Sequence, residues 1–414
     1  IDRAFSFLLQ WKKDFREGMP VPVRKMEAND IAACEKIQAI AFVSPFDAQA
    51  VDERLKKEGC PRDEYVGYVN EEGTITACMV LPRYQMRYEG AWVPMVGVGG
   101  VASLPEHRSG GAIRQIFESE LPRCRAEGAV FTMLYPFSHS FYRKFGYELC
   151  QMVQSWEVDT AALSHLRCGC KARMVEGKED YPALRAVFEA HFGRYNTAVQ
   201  REDRHWESLL SKEPCKERVY SYLLEDGEGP LAYVIFQAKE ATAYSKRGQV
   251  REMAWARPQG FREALGFLYR LSAQYDSFTI PLPEDAPLAA LLSESYDIKP
   301  LVMDQPMARV LHVPKALAGK PCPEGAAYTI AVEDQLLPEN SGTFQVGRQN
   351  GETTVERTAA PADLSLDVRT LTQLLLGTLS LEEALYKPDV VLSANRETLE
   401  KVFPKRPVFL TEHF

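Results

Sequence analysis

The sequence predicts an α/β chain with mixed sheets, divided into two or three domains, on three grounds. Its 414 residues exceed one core at roughly 100 to 200 residues per domain. Hydrophobic residues at 45% and charged residues at 26% are ordinary for a compact chain and exclude wholesale disorder or a fibrous repeat. Short β-branched runs alternate with stretches whose apolar residues recur every three or four positions, and no longer period repeats.

The elements follow in order. Residues 21–26 read as extended, and Asn29-Asp30 then caps a helix with apolar positions Ile31, Cys34, Ile37 and Ile40 or Phe42. Two strands, 65–69 and 75–81, flank the turn Asn70-Glu71-Glu72-Gly73. Residues 92–104 form a long strand interrupted by Gly97, Gly99 and Gly100, which signals a bulge or a close backbone approach. After the break at 105–111, residues 112–127 carry a helical stripe at 113, 116, 117, 121 and 124, despite Pro122. A buried strand at 130–135 and a turn lead into Phe141-Tyr142-Arg143-Lys144-Phe145-Gly146-Tyr147.

A second α/β segment spans 156–300, with helices at 181–192 and 261–275 and strands at 220–224, 231–237 and 277–281. Beyond Pro300 a third segment holds strands at 307–313 and 328–332 and a helix at 366–377. The expected division is an extension at 1–20 and domains at 21–155, 156–300 and 301–414.

Charge and cysteine content narrow the partners. With 49 basic and 57 acidic residues the net charge is −8, the wrong sign for holding nucleic acid. Nine irregularly spaced cysteines point to free thiols in a reducing compartment. His165, Cys168 and Cys170 cluster locally, but without a second pair or two-residue spacing they predict no metal site. No apolar stretch approaches the roughly 20 residues that span a bilayer. Residues 1–15 read as a short amphipathic helix without a signal-peptide cleavage pattern, so a cytoplasmic protein is expected.

The turn Glu106-His107-Arg108-Ser109-Gly110-Gly111-Ala112 lies between a strand and a helix start. Backbone N–H groups exposed there, with small residues and an arginine, suit a pyrophosphate. It is neither a Walker sequence nor the three-glycine dinucleotide fingerprint. The strand at 98–104, Pro105, Arg108-x-x-Gly111 and the following helix resemble the acyl-coenzyme A motif of the GNAT N-acetyltransferases, although Ile113 stands where that pattern has Gly or Ala. The blocks 141–147, Asp334 to Phe344 and Asp367-Val368-Arg369-Thr370-Leu371 resemble the Eis family of enhanced intracellular survival acetyltransferases over residues 21–414. That family joins a GNAT domain, a degenerate GNAT-like domain and a sterol-carrier-protein-like α+β domain.

The resemblance implies an acetyl-CoA-dependent N-acetyltransferase acting by direct transfer in a ternary complex, without a metal. Tyr142 matches the family's general acid, and the α-carboxylate of Phe414 matches its base. Backbone groups of Val101, Ala102 and Ser103 match the pantetheine contacts. Arg108, Ser109, Gly110, Gly111, Ala112, Ile113 and Arg114 match the pyrophosphate cradle, and Ser138 a further cofactor contact. The implied acceptor is a polycationic amine such as an aminoglycoside, and the implied assembly a homo-oligomer, a ring-like hexamer. Two alternatives stay open: a protein lysine or N-terminus as acceptor, and a non-catalytic lipid-binding or scaffold protein. Phe46 and Asp47 lie in the segment where acceptor pockets vary, but aromatic and acidic residues there serve packing equally well, and they are not assigned.

Overall fold

The computed structural model describes residues 22–151, 154–240, 246–302 and 305–414; the helix expected within 1–15 lies outside them. In chain order the elements are β1 (Val23–Lys25), α1 (Ala28–Phe42), α2 (Ala48–Glu58), β2 (Glu64–Val69), β3 (Ile75–Leu81), β4 (Arg83–Tyr88), β5 (Ala91–Ser103), α3 (Ala112–Ala126), β6 (Phe131–Leu134), α4 (His139–Arg143) and β7 (Glu148–Leu149). Next come β8 (Gln154–Asp159), β9 (Lys171–Met174), α5 (Tyr181–Phe192), α6 (Asp203–Leu209), α7 (Pro214–Glu217), β10 (Val219–Asp226), β11 (Gly229–Glu240), β12 (Lys246–Trp255), α8 (Pro258–Arg270), β13 (Ser277–Leu282) and β14 (Ile298–Val302). The last are β15 (Met307–Val310), α9 (Val313–Gly319), β16 (Ala327–Glu333), β17 (Gly342–Gln349), β18 (Glu352–Arg357), β19 (Leu364–Asp367), α10 (Val368–Leu376), α11 (Leu381–Ala384), β20 (Val391–Leu392) and α12 (Arg396–Val402).

The chain forms two units, one from Ile1–Pro82 with Val98–Arg123, the other from Arg83–Gly97 with Cys124–Phe414. In the first unit β1, β2, β3 and the end of β5 pair antiparallel. Met26, Ile31, Cys34, Ile37, Cys78 and Ala102 form its core. The helix cap differs from expectation. Glu27, rather than Asn29 or Asp30, is the N-cap, and Asp30 closes a capping box by accepting from the Glu27 amide at 2.9 Å. The apolar stripe also stops early, because Ile40 and Phe42 face solvent, Phe42 at 58% exposure.

In the second unit β4 pairs with the start of β5, and β15 lies between β6 and β7, antiparallel to both. The strand expected at 307–313 therefore ends at Val310 and completes the sheet of a much earlier segment. A seven-stranded sheet follows in the order β14-β8-β13-β12-β11-β10-β9. Along β11, Ala232, Val234 and Phe236 join the core beneath α8, while Tyr233 and Ile235 join the core beneath α5. Strict alternation between two buried faces is what a central strand covered on both sides requires. α8 starts at Pro258 and stops at Arg270, short of the expected 275.

The third sheet runs β18-β17-β16-β19-β20. Residues 364–367, partly read as helix from sequence, are strand β19, and Asp367 then caps α10 by accepting from the Thr370 amide at 2.8 Å. α10 is tied to β15 by Thr372, whose hydroxyl accepts from the Val310 amide at 3.0 Å.

Candidate active site

In the first unit β5 carries one extra residue against β3, since Cys78 pairs with Ala102 but Val80 with Gly99. Gly100 absorbs the bulge at φ +57°, and its carbonyl accepts from Gln38 at 3.0 Å; a Cβ there would strike the Gln38 amide. Val101 and Ser103 are half-buried on the same stretch, and Ala102 is core. A short 3₁₀ turn, Pro105–His107, then releases the chain into an exposed loop of Arg108, Ser109, Gly110 and Gly111.

That loop has the geometry of an anion cradle. Ser109 at φ +67° and Gly111 at φ +81° are left-handed, and a Cβ on Gly111 would meet only open space. Alternating handedness turns successive amides toward one side. α3 begins at once with Ala112 buried, Ile113 half-buried and Arg114 exposed. Exposed amides at a helix start, flanked by two exposed guanidinium groups, fit a diphosphate-bearing cosubstrate.

The second unit places Tyr142 on α4. Ser138 is the N-cap of that helix: its hydroxyl accepts from the Phe141 amide at 3.4 Å, and its carbonyl accepts from the Tyr142 amide at 3.3 Å. Ser138, expected from sequence as a cofactor contact, is thus a structural cap of the helix bearing Tyr142. The Tyr142 ring is 2% exposed, edge-on to Phe141 at 5.2 Å and Phe137 at 5.4 Å, and burial holds its phenol well above the usual tyrosine range.

Gly146, at φ +79°, closes the turn because Arg309 occupies the space a Cβ would take. Arg309 donates to the Phe145 carbonyl and, at 2.7 Å, to both carboxylate oxygens of Asp334. Asp334 also accepts from the Leu336 and Leu337 amides and from Asn340. Two of the sequence blocks that carry the family resemblance are therefore joined through one buried arginine.

Segment 409–414 is anchored at every residue. Phe409 stacks on Phe192 at 5.3 Å, and the Leu410 amide donates to Gln151 at 2.5 Å. The Thr411 hydroxyl accepts from the Val199 amide at 3.0 Å, and its carbonyl accepts from Arg201 at 3.1 Å. Arg201 Nε donates to Glu412 at 2.5 Å while its other two nitrogens grip Glu252 at 2.7 and 2.6 Å. His413 stacks on Tyr135 at 4.3 Å, and Phe414 packs against Tyr84 at 5.5 Å and Tyr135 at 6.0 Å. A cavity of about 330 Å³ opens beside the segment, lined by Tyr135, Gln151, Arg251, Glu252, Phe409 and His413.

Sequence reasoning missed Arg201, Glu252, Gln151, Tyr84 and Tyr135, which lie far from segment 409–414 along the chain and match no local motif. Asp47 proves to be the N-cap of α2, accepting from the Gln49 and Ala50 amides. It also lines a separate hollow of about 520 Å³ in the first unit, with Phe42, Phe46 and the paired Glu35 and Arg54.

Family models match the chain in three places: an acetyltransferase (GNAT) domain at residues 22–150, a second acetyltransferase (GNAT) domain at 197–310 and a sterol carrier protein domain at 313–411. An uncharacterized N-acetyltransferase of Streptomyces coelicolor is 26% identical over 340 residues, covering 76% of this chain and 80% of the relative. A second, from Streptomyces griseus, is 24% identical over 319 residues, 70% of this chain and 73% of the relative.

Among solved structures, a probable N-acyltransferase of Enterococcus faecalis superposes with a TM-score of 0.83 at 22% identity, covering 95% of this chain and 99% of that one. The Eis protein of Mycobacterium abscessus gives 0.77 at 19% identity, covering 95% and 99%. The chain belongs to the GNAT N-acetyltransferases, enzymes that use acetyl-CoA and an amine acceptor. Its arrangement is Eis-like: tandem GNAT domains followed by a sterol-carrier-protein-like domain. The scaffold alternative gives way to an enzyme. Among the described residues no helix is long and apolar enough to cross a membrane.

Proposed function

We propose that the protein acetylates the amine of a small polycationic acceptor by direct transfer, with Tyr142 as general acid and the α-carboxylate of Phe414 as general base. The supporting observation is the anchoring of segment 409–414, residue by residue, ending against Tyr84 and Tyr135. A frayed segment could not hold a carboxylate at a reacting atom.

In this reading the first domain, 21–155, carries the cofactor loop and Tyr142. The second, 156–300, lacks the first domain's cofactor-loop glycine turn, and the third, 301–414, supplies Phe414. Acetyl-CoA, when bound, supplies the acetyl thioester and a thiolate leaving group. Residues 108–114 bind the diphosphate through backbone amides, and the amides of 101–103 hold the pantetheine arm and polarise the thioester carbonyl. Tyr142 keeps its proton across physiological pH because burial disfavours phenolate, and it donates that proton to the thiolate. The Phe414 carboxylate takes the proton released by the acceptor ammonium.

The aromatic walls of the 330 Å³ cavity favour a cation. Glu252 is already held by Arg201 and Tyr233, so the rings rather than a free carboxylate carry that attraction. Nine free cysteines accord with a cytoplasmic setting, and a homohexamer is the assembly we expect. Thiol release across polyamines, aminoglycosides and lysine peptides tests the acceptor: saturable turnover on peptides alone overturns it. Appending three residues after Phe414 tests the base, and undiminished turnover removes the carboxylate from its role.

A further inference from the structure

We propose that Cys168, Cys170 and the Glu263 carboxylate, none of them among the residues proposed for acetyl transfer, form a binding site for a divalent cation of zinc type. From sequence, the one-residue spacing of Cys168-Gly169-Cys170 and the lack of a second pair argued against a metal. His165 lies elsewhere, its Nε2 2.8 Å from the Leu291 carbonyl oxygen. The fold supplies the third ligand from far along the chain. Glu263 on α8 closes the cluster, and one donor atom from each of the three residues lies within 4.8 Å of the others. The two sulfurs are 3.4 Å apart, about 0.4 Å less than the roughly 3.8 Å that two 2.3 Å bonds to one tetrahedral zinc subtend, a gap one side-chain rotation closes.

The cluster is held by construction rather than by chance proximity. One face of α8 presents Glu263, Gly266 and Arg270, each one turn from the next. Gly266 is bare because the loop backbone sits on it: a Cβ there would lie 2.7 Å from the Arg167 carbonyl carbon and the Cys168 nitrogen. Arg270 donates to the Cys168 carbonyl. Glu263 accepts from the Gly169 amide at 2.6 Å and the Cys170 amide at 3.1 Å, both on Oε2. The loop is thus fixed at three points along one helix face just before edge strand β9.

Charge and access fit the same cation. Two thiolates and a carboxylate carry −3, and Zn²⁺ with the Arg270 guanidinium returns the site to neutrality. Cys168 is buried and Cys170 half-buried, and the site opens on a cleft of about 750 Å³ lined by Cys170, Glu263, Asp226 and Gln259. The cleft gives the ion an entry path and leaves a fourth position for water. On binding, the metal–sulfur bonds replace two S–H bonds, and both protons pass to solvent.

The test uses the full chain, reduced and freed of metal by chelator, titrated with Co²⁺ and then Zn²⁺. We expect one equivalent of Co²⁺ to produce the sulfur-to-cobalt charge-transfer absorption of two thiolates, and one equivalent of Zn²⁺ to bleach it. Cys168→Ser and Cys170→Ser should each weaken Zn²⁺ binding by on the order of 100-fold, and Glu263→Gln by about 10-fold. Cys60→Ser and Cys215→Ser, exposed elsewhere, should leave it unchanged. Should the serine variants not fold, X-ray absorption of the zinc-loaded parent decides, with two sulfur and two lighter neighbours expected. Absence of the charge-transfer band, its survival in both serine variants, or a sulfur count other than two overturns the site. Acetyl transfer enters none of these readouts.

Discussion

Arg201 Nε lies 2.5 Å from Glu412 while the same guanidinium clasps Glu252. Its Cζ lies 4.3 Å from the Phe188 ring and 4.7 Å from the Trp206 ring, two rings set edge-to-face 5.8 Å apart. One buried cation therefore fixes both the core of the second sheet and the segment ending at Phe414. Removing it strands two buried carboxylates.

Arg201→Met should cost about 3 to 5 kcal/mol of stability, the usual consequence of breaking a buried ion pair from one side. Glu412→Gln should be milder, because Glu252 still neutralises Arg201. It should loosen the segment, so that carboxypeptidase trims the variant faster than the parent. If segment position matters to turnover, kcat falls while acetyl-CoA affinity stays unchanged. Thermal melts, a digestion time course and calorimetry with acetyl-CoA separate these effects.

Tyr142→Phe keeps the ring among Phe137, Phe141 and Tyr147 and removes only the hydroxyl that would give up the proton. Turnover should fall by roughly 100-fold or more with cofactor affinity unchanged. An equal rate in the two proteins would show that another group protonates the thiolate.

Arg309 and Asp334 are both 0% exposed. Asp334→Ala leaves the guanidinium buried opposite no carboxylate and should destabilise by about 3 to 5 kcal/mol. Gly146→Ala should also be severe, since the left-handed backbone is strained for alanine and the methyl collides with Arg309. Denaturant titration of each variant gives the measurement. A loss under about 1 kcal/mol in both would mean that the joint between the two blocks is loose.

Acid should destabilise the fold. His191 packs against Trp255 at 3.8 Å, and burial lowers its imidazole pKa to about 3; His312, lowered by burial to about 4, accepts from the Lys315 amide in the cap of α9. Both groups bind a proton more readily unfolded than folded. Their contribution is whole above about pH 6.5 and is lost as pH falls toward the folded values, the buried His191 costing about 1.4 kcal/mol per pH unit in that window and the more exposed His312 less. Melting temperatures from pH 7 to 4 should drop less steeply in His191→Phe than in the parent.

Where local pattern decides structure, the sequence was legible. The helix at 181–192 matches α5 to the residue, and the hairpin turn at 70–73 stands as read, because periodicity and turn chemistry act over a few positions. β12 escaped notice because Gly248 and charged residues at 246, 247, 251 and 252 dilute its apolar alternation. The glycine loop and Tyr142 could be picked out through short contiguous motifs. Arg201, Glu252 and Glu263 could not, since each acts on residues between 51 and 211 positions away, a distance at which no spacing rule operates.

The placement of β15 bears on how the chain is made. The Cys150 amide bonds to the Pro306 carbonyl at 3.1 Å, and Met307–Val310 fills the slot between β6 and β7. A nascent chain emerging from the ribosome must keep that slot open, its edges unsatisfied, while more than a hundred further residues are translated. Dissecting the gene at its apparent domain seams would accordingly yield fragments with a missing rung, prone to stick to one another.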